Sequence, residues 1–131
     1  MTGETLMGRV APVAVIALLI AIATARADLV GHYKASGTRP DGTPYSGEVA
    51  IEIIGNVFHV VREIDGHRYV GTGLGHKNIL AVTYHLGNET LLALYVQADS
   101  GQWVGKWVNV DNKDSGIERW EPYLPSRRIT P

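Results

Sequence analysis

Between Tyr45 and Ile53 the chain alternates with a period of two. Tyr45, Gly47, Val49, Ile51 and Ile53 fall on one side, and Ser46, Glu48, Ala50 and Glu52 on the other. That period is the pleat of a half-buried β-strand. The same pattern predicts further strands over Leu29–Ala35, Val57–Ile64, Arg68–Leu74, Ile79–Tyr84, Thr90–Ala98, Gln102–Val108 and Ile117–Glu121, eight in all. Turn chemistry recurs between them, at Gly55-Asn56, Asp65-Gly66, Gly75-His76-Lys77, Gly87-Asn88, Asp99-Ser100-Gly101 and Asp111 to Gly116. The spacing of about 10 to 12 residues is that of antiparallel hairpins and leaves no room for a helix. Ser36 to Pro44 holds Gly37, Pro40, Asp41-Gly42 and Pro44; it is expected to form a longer loop overhanging one end of the fold.

Eight consecutive antiparallel strands in an open sheet would expose two edges, and exposed edges pair with other chains. An even strand count lets the last strand meet the first, so the expected fold is an all-β, eight-stranded, antiparallel up-and-down barrel, with a β-sandwich as the alternative. Bulk suggests the inward series Tyr33, Val49/Ile51/Ile53, Phe58/Val60/Arg62, Tyr69/Gly71/Gly73, Leu80/Val82/Tyr84, Leu92/Leu94/Val96 and Trp103/Gly105/Trp107. In this series small residues oppose large ones, which is how a narrow barrel is filled. Arg62 stands among apolar neighbours, and a guanidinium held inside needs partners, for which Tyr69, Tyr84 or Glu118 are the candidates. The outward set would then include Val57, Val61, Val70, Leu74, Ile79, Ala81, Leu91, Ala93 and Tyr95. That wall is apolar enough to suggest a partner surface: a second copy, another exported protein or a membrane surface. A register slip of one residue would invert every face.

The chain begins with a different kind of segment. Val10 to Ala23 is a fourteen-residue apolar run, preceded by Arg9 and followed by Thr24-Ala25-Arg26-Ala27. An apolar run ending in a small-x-small site reads as a secretory signal peptide cleaved after Ala27. It falls short of the roughly 20 residues that cross a bilayer, so an uncleaved anchor is the weaker alternative. Glu4 interrupts the expected basic start and Met7-Gly8-Arg9 would restore it, so translation from Met7 is a second possibility. The organisation expected is a signal peptide over 1–27 and a barrel domain over 28–131, with an irregular tail from about residue 122. Localisation would be periplasmic or secreted.

Composition narrows the function. The full chain has 131 residues with a formal net charge of −1; loss of Glu4, Arg9 and Arg26 with the leader makes it −2. Without a basic block, nucleic acid is not an expected partner. With no cysteine, an exported domain this small depends on its core alone.

Gly31-His32-Tyr33, the run Arg39-Pro40-Asp41-Gly42-Thr43-Pro44-Tyr45-Ser46-Gly47, Tyr69-Val70-Gly71-Thr72-Gly73 and Trp103-Val104-Gly105-Lys106-Trp107 resemble a family of small exported bacterial proteins often labelled fibronectin-binding protein. The resemblance spans nearly the whole chain after the leader. It implies an exported barrel and raises extracellular-matrix binding as a possible role. Members of that family usually carry Trp where this chain has Arg62, so a shared pocket is altered there. At the level of fold the pattern is also similar to avidin-like and lipocalin-like barrels, and fold alone assigns no ligand.

The candidate chemistry is sparse. Gly71-Thr72-Gly73-Leu74-Gly75-His76-Lys77 lacks the spacing of a phosphate loop and leads into a strand, so its glycines read as close-packing positions. His32, His59, His67, His76 and His85 form no ligand-spaced set, so no metal is expected. Tyr45-Ser46-Gly47 is not a nucleophile elbow, Glu48 and Glu52 point to solvent on one strand face, and Asn88-Glu89-Thr90 as a glycosylation acceptor means nothing in a bacterial chain. No catalytic constellation and no cofactor are expected. What remains is the lumen. Its candidate ligand-binding residues are Tyr33, Phe58, Arg62, Tyr69, Tyr84, Trp103, Trp107 and Glu118, a mostly apolar set with a few convergent polar groups. The resulting expectation is a non-enzymatic exported binding protein holding a small amphipathic or anionic molecule, and a lumen filled by its own side chains is the competing picture. A protein–protein interaction module, adhesin-like or inhibitor-like and acting on another exported or host protein through the outer wall or the 36–44 loop, is the alternative. A hydrolase or isomerase in the lumen is a third, and homo-oligomerisation is possible.

Overall fold

The computed structural model describes residues 29–124 of the chain. The signal peptide expected over 1–27 and the last residues of the tail lie outside them. Eight strands follow in order: β1 (Gly31–Thr38), β2 (Pro44–Ile54), β3 (Val57–Ile64), β4 (His67–His76), β5 (Ile79–Leu86), β6 (Glu89–Gln97), β7 (Trp103–Asn109) and β8 (Ser115–Pro122). Each pairs antiparallel with the next, and β1 also pairs with β8, from Tyr33 opposite Pro122 to Thr38 opposite Ile117. The sheet is therefore a closed up-and-down barrel without a free edge. β1 continues three residues beyond its expected end, so the predicted 36–44 loop shrinks to residues 39–43, braced by Arg39 N donating to Thr43 O at 2.8 Å.

Tight hairpins set the register. Asp65 and Gly66 both have positive φ, 53° and 78°, which is the two-residue turn whose twist matches the strands it joins. Gly87 at φ 57° opens the turn between Leu86 and Glu89. Every inward glycine that a bulky neighbour crowds sits on a strand. A Cβ on Gly71 would lie 2.7 Å from both Tyr84 Cδ1 and Val82 Cγ1, and one on Gly75 would lie 2.7 Å from Phe58 Cε2. Gly105 stands against Tyr95, Gly37 against Tyr45, and Gly116 against Trp107. Large rings fit inside a small barrel because the facing position has no side chain.

The core runs the length of the lumen and includes Leu29, Tyr33, Val49, Ile51, Phe58, Val60, Leu80, Val82, Tyr84, Tyr95, Trp103 and Trp120. One strand contradicts the expected facing. Leu92, Leu94 and Val96, expected inside, are outside and 50%, 52% and 46% exposed, while Leu91, Ala93 and Tyr95, expected outside, are buried. The cause is the short turn at Gly87-Asn88, which pairs Tyr84 with Leu91 and Val82 with Ala93. Directly paired residues share a face, so an inward Tyr84 requires an inward Leu91. Two further expectations change at single positions. Ile53 lies at the end of its strand and is 40% exposed, and Val61 keeps its outward alternation opposite Ala50 yet is fully buried.

Candidate functional site

At the centre of the barrel, β3 places Arg62 and β8 places Glu118, both almost without solvent exposure. Arg62 Nη2 donates to Glu118 Oε1 at 2.7 Å, and Nε donates to Oε1 and Oε2 at 2.9 and 3.1 Å. Three more donors converge on the carboxylate. Tyr45 OH reaches Oε1 at 2.6 Å, and Trp120 Nε1 and Tyr95 OH reach Oε2 at 2.7 and 3.2 Å. Tyr84 OH lies 2.9 Å from Tyr95 OH, and Trp107 Nε1 donates to Tyr45 OH at 2.9 Å. A buried charge pair is tolerated when the remaining donors and lone pairs are also satisfied, which this network achieves for the carboxylate.

The guanidinium is also enclosed by rings. Its Cζ lies 4.9 Å from the Tyr69 centroid, 5.6 Å from Tyr84, 5.7 Å from Tyr45 and 5.9 Å from Trp107. A cation within about 6 Å of a ring face is attracted by the ring quadrupole. Burial alone would weaken Arg62's hold on its proton, but the Glu118 charge and hydrogen bonds outweigh it and raise its pKa. The tyrosines move upward too. For Tyr45, Tyr84 and Tyr95 the larger cause is burial, followed by the negative charge of Glu118. Tyr69, half-buried, is raised by burial and then by Glu89.

Above this cluster the barrel opens at the end carrying the β1–β2, β3–β4, β5–β6 and β7–β8 connections. A cavity of about 200 Å³ there is floored by Arg62 and Tyr45, walled by Tyr69, Leu91 and Trp107, and rimmed by Arg39, Asp65, His67, Glu89 and Asp114. Glu118 takes Nε and Nη2 of Arg62, Nη2 also lies 3.4 Å from Tyr45 OH, and the guanidinium is hydrogen-bonded to the Tyr69 side chain as well. At the rim Arg39 is paired with Asp65. Asn109 shapes the β7–β8 loop: its Oδ1 accepts from Asp111 N and Asn112 N at 2.9 and 3.2 Å, and its Nδ2 donates to Glu89 Oε1 at 3.1 Å.

The residues singled out from the sequence fall into two groups. Arg62, Tyr69, Tyr84, Trp107 and Glu118 meet in the central cluster. Of these, Arg62, Tyr69 and Trp107 also line the cavity. Tyr33, Phe58 and Trp103 lie in the core but do not line it; Tyr33 OH donates to Leu29 O at 2.6 Å. Of the partners considered for Arg62, Glu118 takes the charge pairing. Tyr95 and Trp120, which complete the carboxylate's shell, and the rim residues Arg39, Glu89 and Asn109 were not anticipated. For Tyr95 the signal was the Gly87-Asn88 turn. For the rim it was the position of each residue at a strand end on the same side as Asp65-Gly66.

No protein-family model and no curated protein matches the chain. Solved structures do. A redesigned β-barrel titled b11L5F_LGL aligns at 17% identity with a TM-score of 0.61, covering 76% of this chain and 96% of its own. A redesigned β-barrel titled mFAP1, bound to DFHBI, aligns at 19% identity and TM-score 0.60 over 74% of this chain and 97% of its own. The structure titled EF1p2_mFAP2b bound to DFHBI gives 17% and 0.60 over 76% and 97%. At such identities the likeness is one of fold, and it identifies the chain as a closed eight-stranded antiparallel β-barrel.

Proposed function

We propose that this protein is a non-enzymatic binder that takes one small, flat amphipathic molecule into the open end of its barrel. The observation that carries the reading is the cavity itself: Arg62, fixed by Glu118, floors a space walled by Tyr69, Leu91 and Trp107. An apolar ring would lie against those walls, and an acceptor on its edge would meet the polar floor formed by Arg62 and Tyr45. The rim argues for a ligand with acceptors rather than a full negative charge, because Asp65, Glu89 and Asp114 outnumber Arg39 there. A binding role rather than a catalytic one is supported by the carboxylate, whose oxygens already accept from four residues. The barrels titled as bound to DFHBI show that a barrel of this shape accommodates a small molecule.

The test is a fluorescence titration with DFHBI and with N-phenyl-1-naphthylamine, an uncharged apolar probe. A saturable response is expected, weakened about tenfold, or ~1.4 kcal/mol, by Tyr69→Ala. Absence of saturation with either probe, or equal affinity in Tyr69→Ala, overturns the reading. The leader-like run before Asp28 supports a location outside the cytoplasm for this binder. Protein recovered from the cell exterior should begin at Asp28; a start at Met1 or Met7 contradicts that placement.

A further inference from the structure

The outer wall is divided by charge. On β2, β3 and β8 the outward positions include Glu48, Glu52, Glu63 and Glu121, whereas no outward position of β4, β5, β6 or β7 carries a carboxylate. That second half is apolar instead. Cross-strand pairing sets Leu74 beside Ala81, Ala81 beside Leu94, and Leu94 beside Lys106; one row away Ile79 faces Val96 and Val96 faces Val104. Leu74 is 68% exposed and Leu92 and Leu94 are about half exposed. A shallow groove on this wall brings Leu92, Leu94 and Val108 together with two lysines, Lys106 and Lys113. A contiguous apolar face of this extent on an otherwise polar body marks an interaction surface.

We infer that the β4–β7 wall docks onto the surface of an anionic lipid bilayer. The argument for this occupant is charge complementarity. A strand face of apolar side chains with Lys106 among them and no acid at its outward positions suits the boundary between acyl chains and negative headgroups. A second copy packed wall against wall would set Lys106 against strand positions that hold no carboxylate; Asp111 and Asp114, beside Lys113, lie in the β7–β8 loop and not on that wall. The apolar band does not encircle the barrel, since β2 and β3 present glutamates, so the geometry is that of lying on a membrane, not crossing it.

The chain contains no cysteine, so a single introduced one can carry an environment-sensitive dye. Full-length Leu94→Cys and Ser46→Cys, the latter on the opposite wall, would be labelled and mixed with vesicles of phosphatidylcholine alone or with phosphatidylglycerol added. Because the Val10 to Ala23 run is common to both variants, the contrast between the two dyes reads the wall itself. The expected result is a blue shift at position 94 and none at 46, seen with the anionic vesicles, with apparent affinity falling about tenfold in Lys106→Glu and with added salt. Equal shifts at both positions, no shift at 94, or indifference to Lys106→Glu overturns the inference. So does a shift at 94 that grows with protein concentration without vesicles, which would assign the face to a second copy.

Discussion

Arg62 and Glu118 sit 56 positions apart in the chain and meet through two guanidinium nitrogens inside the closed sheet, at 2.7 and 2.9 Å. The pairing joins β3 to β8 across the lumen, so it reports closure of the barrel as directly as the β1–β8 ladder does. Removing one partner strands the other. Glu118→Gln should cost about 3–5 kcal/mol in urea unfolding, because a buried guanidinium loses its counter-charge. Replacing both with apolar residues, which often rescues an isolated buried pair, should not do so here. Tyr45, Tyr95 and Trp120 also donate to Glu118, and each orphaned donor costs about 1–3 kcal/mol. A Arg62→Met/Glu118→Leu double variant as stable as wild type would show that the network contributes no net stability.

Gly71 tests how the rings are accommodated. Its Cβ would meet Tyr84 and Val82 at 2.7 Å, and both are themselves fully packed. Gly71→Ala should therefore destabilise by about 1–3 kcal/mol through overpacking, even though alanine normally suits a strand better than glycine. Pairing it with Tyr84→Leu should recover part of the loss, measured as a double-mutant coupling. Additive effects would place the strain elsewhere.

The closed barrel and the opposition of glycines to aromatics were legible because both rest on local signals, turn spacing and strict alternation. Strand β6 was not, because Thr90–Ala98 is nearly continuous in apolar residues and bulk alone favoured Leu92, Leu94 and Val96 as the inner set. Parity decides such a case: a two-residue turn carries the face of Tyr84 directly to Leu91. The rim was illegible for another reason. Arg39, Glu89 and Asn109 are drawn together only when four connections close on the same end of the barrel, which is information held in the topology. The observed facing makes a sharp contrast between neighbours. Leu94→Gln should change stability by no more than about 0.5 kcal/mol, as surface substitutions do, whereas Ala93→Gln should cost about 2 kcal/mol or more by forcing a polar side chain against Trp107, its cross-strand partner. Equal costs for the two would restore the opposite register.

Alkaline pH should unfold this barrel through its tyrosines. Tyr45, Tyr84 and Tyr95 are held protonated above their ordinary range, chiefly by burial and then by the Glu118 charge. In the unfolded chain the same groups ionise near pH 10. Between that value and the raised native one, the folded state binds more protons than the unfolded state, so stability falls as pH rises. Below pH 10 the contribution is fully present. Each tyrosine that stays protonated in the fold adds up to about 1.4 kcal/mol of loss per pH unit above that point. Urea midpoints should be flat approaching pH 10 and then decline steeply, and Tyr95→Phe should make the decline shallower. Ultraviolet titration of tyrosinate should show these three groups ionising only as the barrel unfolds. If they ionise near pH 10 while the strand signal persists, the lumen is open to water around Glu118, and the enclosed network derived from its hydrogen bonds does not hold in solution.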